Sequence, residues 1–233
     1  MQFADVMSQL EQWGTAQARK IYVRHGVQEP MFGVSYANLN QLKKQIKIDH
    51  ALAQELWATG NHDARVLATM IADAKTMSFS ELEAWSDDLN GHAITDAWGG
   101  LAGRTPHARV LAVRWLDDAS EWKSRASWGL IGQLAMNNAD VADDFFMPHL
   151  TTIEQTIHQR QNRVREAMNN TLIAIGSRNP TLQARAIEVA QHIGTVDVDH
   201  GETGCKTPDA IPYMQKAWEH KKSKEQRAKS KKV

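Results

Sequence analysis

The chain has 233 residues, 27 Lys and Arg against 27 Asp and Glu, and a hydrophobic fraction of 42%. That is long enough to bury a sizeable core, and no Gly/Ser/Pro-rich linker divides it, which predicts one domain over residues 1–219. The lone cysteine, Cys205, excludes an internal disulfide, the N-terminus lacks a basic-then-apolar leader, and no apolar run approaches the roughly 18–20 residues of a membrane span, so a reducing cytoplasm is expected.

Apolar residues recur at helical rather than alternating spacing, which predicts an all-α chain. The first helix is expected from about Phe3 to His25, with Phe3, Val6, Leu10, Trp13 and Ala16 on one stripe and Gly26 as its stop. After a Pro/Gly turn, Ser35 is placed to cap a helix carrying Leu39, Leu42 and Ile46. Helices over 50–58 and 62–74 follow, and Ser78 with Glu81 forms a candidate capping box for the next.

Beyond these, a short helix is expected over 92–101, and Pro106 suits the first turn of one ending at Trp115. The remaining helices fall at about 120–136, 139–159, 162–175, 180–193 and 208–220. The acidic loop 194–207 contains Asp197, Asp199, His200, Glu202 and Cys205, but lacks the close ligand pairs of a zinc site; no metal and no cofactor is expected. Residues 220–233 read as a disordered basic tail. From Lys221 to Lys232 there are seven Lys/Arg and one acid, leaving the rest of the chain at about −6. Such a tail adds salt-sensitive attraction to nucleic acid or serves as a solubilising end.

Four helices open on a shared arginine-bearing phrase: Asp63-Ala64-Arg65-Val66, Lys123-Ser124-Arg125-Ala126, Asn162-Arg163-Val164-Arg165 and Leu182-Gln183-Ala184-Arg185. Arg125 and Arg165 stand 40 positions apart, close to the length of one helix-pair unit in a HEAT or armadillo array. A stack of such units is expected, since no single pair buries its own apolar face, and its arginines would suit phosphates.

Signatures of zinc hydrolases, nucleophile-elbow hydrolases, P-loop NTPases and dinucleotide-binding enzymes are missing. What remains is a tract rich in tryptophan, from Trp85 through Trp98, Trp115 and Trp122 to Trp128, whose indoles serve either as core or as stacking platforms. Inside it, His92 and Asp96 stand four apart and share one helical face.

Together, Met31-Phe32-Gly33-Val34, the stretch from Asp49 to Trp57, Gly60-Asn61-His62-Asp63-Ala64-Arg65, the helix from His92 to Asp96, and Trp122 with Arg125-Ala126 resemble the AlkD-like DNA alkylation repair family, the HEAT-like-repeat DNA glycosylases. The resemblance reaches to about Ile193. It implies a right-handed α-solenoid whose concave face holds double-stranded DNA; a monomer is expected. It also implies hydrolysis of the N-glycosidic bond of cationic N3- or N7-alkylated purines.

By that resemblance Asp96 is the catalytic carboxylate, which stabilises the oxocarbenium-like sugar and orients water, while Arg125 grips a backbone phosphate. An alkylated purine is already a cationic leaving group and needs no general acid. The pattern departs from active members at His92 and Asn170, where tryptophans are expected. Further candidates for DNA contact are His92, Trp98, Trp122, Asn170, Arg65, Arg163, Arg165, Arg185 and Lys206. The competing expectation is a non-enzymatic HEAT-like module that binds DNA structures or a protein partner.

Overall fold

A computed structural model describes the backbone of residues 1–230, and the side chains through residue 220 together with Ser223. Among the described residues there is no strand. The helices are α1 Phe3–Trp13, α2 Ala16–Arg24, α3 Tyr36–Ile46, α4 His50–Ala58, α5 His62–Ile71, α6 Phe79–Ser86, α7 His92–Ala102, α8 Ala108–Arg114, α9 Glu121–Asn137, α10 Met147–Thr156, α11 Asn162–Gly176, α12 Pro180–Ile193 and α13 Ala210–Ser230. None of them is long and apolar enough to cross a membrane. The chain groups into two compact units, Met1–Leu130 with His200–Cys205, and Ile131–Asp199 with Lys206–Val233.

Local chemistry explains most boundaries. Ser35 Oγ accepts from Asn38 N at the start of α3, and Asn61 Oδ1 accepts from Asp63 N and Ala64 N at the start of α5. The capping box at α6 forms as expected, with Glu81 N donating to Ser78 Oγ at 3.2 Å and Ser78 N donating to Glu81 Oε2 at 2.7 Å. The single first helix expected over 3–25 is instead two. Gly14 ends α1 in an extended conformation, and Thr15 caps α2 through Ala18 N while its own N–H donates to Gly33 O. Similarly, the stretch expected as one helix over 139–159 contains α10 flanked by 3-10 turns at Asp143–Phe145 and Ile157–Gln159. The expected tail at 220–233 lies partly outside the described residues; the backbone is helical to Ser230.

In the first unit, α5 packs on α3, α4 and α7. Its core includes two indole pairs: Trp57 stacks on Trp85 with centroids 4.1 Å apart, and Trp98 tilts against Trp115 at 6.0 Å. In the second unit, α12 packs on α10 and α11, with α13 lying on α11 and α12. Gly176 of α11 permits that approach, because a Cβ there would stand 2.1 Å from Met214 Sδ. Arg178 pins the chain after α9 by donating to the carbonyls of Ala135, Asn138, Ala139 and Val141, with its guanidinium 5.1 Å from the Phe146 ring.

Candidate functional site

The first unit contains a buried polar scaffold centred on Asp63. Asp63, only 1% exposed, turns its carboxylate onto the segment that precedes α3. Asp63 Oδ2 accepts from Phe32 N at 2.7 Å and Gly33 N at 2.9 Å, while Oδ1 accepts from Val34 N at 2.9 Å. A buried carboxylate gains its charge compensation from such converging amides. Gly33 is required here: its φ is +82°, and a Cβ would stand 2.6 Å from Arg19 Cγ. His62 N adds a bond to Pro30 O at 2.8 Å. The loop is thereby tied to α5, and α3 begins at a fixed place.

Burial lowers the pKa of the His62 imidazole, with Asp63 opposing that shift, and raises the Tyr22 phenol to about 12 with the charge of Asp63 adding to the effect. Tyr22 donates to Val34 O and sets its ring edge-on to His62. All of this concerns support rather than reaction.

On α7, Gly91 is the N-cap, Thr95 Oγ1 donates back to Gly91 O, and Asp96 emerges one turn after His92. Across from it, Ser124 and Ser127 of α9 donate to the carbonyls of Leu116 and Leu111, which fixes the helix carrying Arg125. Arg125 then meets Asp96 in a forked bond, Nε to Oδ1 at 3.0 Å and Nη2 to Oδ2 at 2.9 Å. The guanidinium side chain is 6% exposed and the carboxylate side chain 58%. A fork uses one lone-pair direction on each oxygen and leaves the others facing water. The carboxylate is held at two points and still open to water.

One turn before Asp96 on α7 stands His92, half-buried, whose ring lies 6.3 Å from that of His25; Tyr36, at the first position of α3, is 49% exposed. Partial burial raises the Tyr36 phenol, and the charges of Asp96 and then Asp63 raise it further. Its hydroxyl therefore stays protonated at neutral pH.

The other expected contact residues divide. Trp98 is fully buried, with its indole N–H lacking a hydrogen-bond partner, so the expectation that it touches DNA is corrected: Trp98 is core. Trp122 is half-buried at the start of α9. Arg65 closes a clamp in the first unit, pairing with Asp88 at 3.0 Å, donating to Trp57 O and lying 5.1 Å from the Trp57 ring. In the second unit Arg163 pairs with Glu166 at 3.1 Å, and Arg185 pairs with Glu154 and Glu188. Arg165 is half-buried with its Nε hydrogen lacking a partner, whereas Asn170 and Lys206 are exposed.

A sequence profile described as DNA alkylation repair enzyme matches residues 6–214. The chain belongs to that family. Two uncharacterized Listeria proteins are similar along most of their length. The one from Listeria innocua is 26% identical over 204 residues, covering 85% of this chain and 89% of its own, and the one from Listeria monocytogenes is 25% identical with the same coverage. A solved structure superposes with a TM-score of 0.86 at 31% identity, covering 94% of this chain and 95% of its own. It represents a new family of proteins related to the HEAT-like repeat DNA glycosylases with affinity for branched DNA structures. The fold class is accordingly the expected all-α one, related to the HEAT-like-repeat members of the DNA alkylation repair enzymes.

The polar scaffold of the first unit escaped sequence reasoning: the amides that converge on Asp63 come from 29 to 31 positions away, a distance at which no local pattern is visible.

Proposed function

We propose that this chain is a DNA repair protein that binds duplex DNA and hydrolyses the N-glycosidic bond of cationic N3- or N7-alkylated purines at Asp96. The observation that carries the reading is a carboxylate 58% exposed to water and held at two points by a buried guanidinium. Such a group is aimed without being consumed. As the bond to the purine breaks, positive charge moves to the deoxyribose, and a fixed carboxylate at its face stabilises that charge and orients water for attack at C1′. Arg125 positions Asp96; on DNA binding it exchanges part of this contact for a phosphate, which leaves more of the negative charge of Asp96 for the sugar.

A second reading, non-enzymatic recognition of branched DNA, is favoured by specific observations. The 31% identical structural relative belongs to a family with that affinity, and the chain carries His92 and Asn170 at the two positions where the family resemblance expects indoles. In the paired state, moreover, Asp96 and Arg125 are together neutral.

Two measurements separate the readings. Duplex methylated with an alkylating agent is incubated with wild type and Asp96→Asn, and released 3-methyladenine and 7-methylguanine are counted; release by wild type alone supports hydrolysis. Affinity for a four-way junction is then compared with that for linear duplex of equal length across a salt series, in which phosphate contacts give a steep linear fall of log K with log salt. A flat response would remove DNA from the account.

A further inference from the structure

We propose that α2 and α3 form a phosphate-binding surface of the first unit, on which Lys20, Arg24, Lys43, Lys44 and Lys47 hold the DNA backbone next to the helix that carries Asp96. The inference rests on the proposed function in that it takes DNA as the ligand. Residues 16–47 carry six Lys and Arg against one acid, Glu29, whereas the chain outside this stretch and the basic tail carries 14 Lys and Arg against 25 Asp and Glu. Positive charge gathered in one stretch of a chain with zero net charge is the pattern that a polyanionic partner requires.

Elsewhere in the first unit, Arg65, Arg114, Lys123 and Arg125 are matched by Asp88, Glu83, Asp87 and Asp96. Within the basic stretch, Arg19 pairs with Glu29. Lys20, Arg24, Lys43, Lys44 and Lys47 are exposed, and among the described residues none of them has an ion-pair partner. Lys20 and Arg24 stand four apart on α2, and Lys43 stands four before Lys47, the C-cap of α3. Like charges at that spacing repel, so an array with no acid to relieve it gains from an external anion. The dipole of α3 accounts for Lys43 and Lys44 in its last turn but not for Lys20 in the middle of α2.

The two helices are also fixed in place. Thr15 N donates to Gly33 O, Tyr22 donates to Val34 O, and Asp63 accepts the amides that precede α3. At the end of α2, Arg24 is followed by His25, whose ring lies 6.3 Å from that of His92, one turn before Asp96.

The full chain is tested as wild type, Lys43→Gln/Lys44→Gln/Lys47→Gln, Lys20→Gln/Arg24→Gln and Lys43→Arg/Lys44→Arg/Lys47→Arg. Fluorescence anisotropy on labelled duplex is measured across a salt series, and thermal unfolding is recorded for each protein. Each cation that no longer meets a phosphate reduces the slope of log K against log salt by about 0.9. The triple glutamine variant is therefore expected to be shallower by about 2–3 and the double variant by about 1–2, with melting temperatures unchanged, while the arginine variant keeps the wild-type slope. Wild-type slopes in both glutamine variants would overturn the inference and leave the proposed function standing. A wild-type protein that does not bind duplex overturns both, a result read before any variant is compared.

Discussion

The carboxylate of Asp96 and the guanidinium of Arg125 share two hydrogen bonds but not one environment, since the first faces water and the second lies inside the fold. Losing the exposed partner therefore costs more than its exposure suggests. Asp96→Ala leaves a buried guanidinium without its carboxylate and is expected to lower stability by about 1–3 kcal/mol, below the larger penalties seen for fully buried pairs. Typical exposed substitutions stay within about 0.5 kcal/mol. Urea unfolding measures the difference, and a value within error of wild type would show that Arg125 is held without Asp96.

Asp63 anchors the loop in front of α3, accepting three backbone amides from a buried position. Replacing it by Ala leaves those donors unmatched, each costing about 1–3 kcal/mol, so a loss of at least about 3 kcal/mol is expected. Asp63→Asn keeps one acceptor oxygen and should fall between. A loss under about 1 kcal/mol for Asp63→Ala would contradict the anchoring role.

Glu81 supplies the pH dependence with the clearest sign. Bonds from the Ser78 hydroxyl and then the Ser78 amide bring its carboxyl down from 4.5 to about 2, helped by His50. Between those values the unfolded chain binds the proton and the folded chain does not, so stability is full above pH 4.5 and is lost as pH falls toward 2. Glu81→Gln should flatten that part of the stability profile. Because the group is largely solvated, the amplitude is modest. Parallel profiles for the two proteins would place the acid sensitivity elsewhere.

Trp98 is expected to matter for stability and not for DNA. Trp98→Ala opens a cavity costing about 3–5 kcal/mol, whereas Trp98→Phe keeps most of the volume and discards an N–H that has no partner, so its cost is smaller. Affinity for duplex should be unchanged in Trp98→Phe. A tenfold loss at intact stability would return this indole to the interface.

The helical architecture was legible because apolar spacing and caps are local: Ser35, Ser78 with Glu81, and the helix starts at His50, His62 and His92 lie where the residues themselves place them. The family resemblance gave Asp96 and Arg125 separate roles, a carboxylate at the sugar and a grip on a phosphate; their pairing with each other spans 29 positions and was not legible in the sequence. What stayed hidden was the difference among similar arginines. Arg65, Arg163 and Arg185 each found an acid, at Asp88, Glu166 and Glu154, through tertiary packing or a neighbouring turn, and a repeat phrase does not encode which partner waits there. Burial was equally hidden for the tryptophans, since Trp98 and Trp122 read alike in sequence while one is sealed in the core and the other is half-open.

The central claim is that Asp96 acts on DNA, and base release tests it most directly. Methylated duplex incubated with equal amounts of folded wild type and Asp96→Asn is expected to yield free 3-methyladenine or 7-methylguanine with wild type, and a loss on the order of 100-fold or more with the variant, the scale on which a positioned electrostatic group contributes to rate. Equal release by both proteins, or release by neither above the spontaneous background, would contradict it.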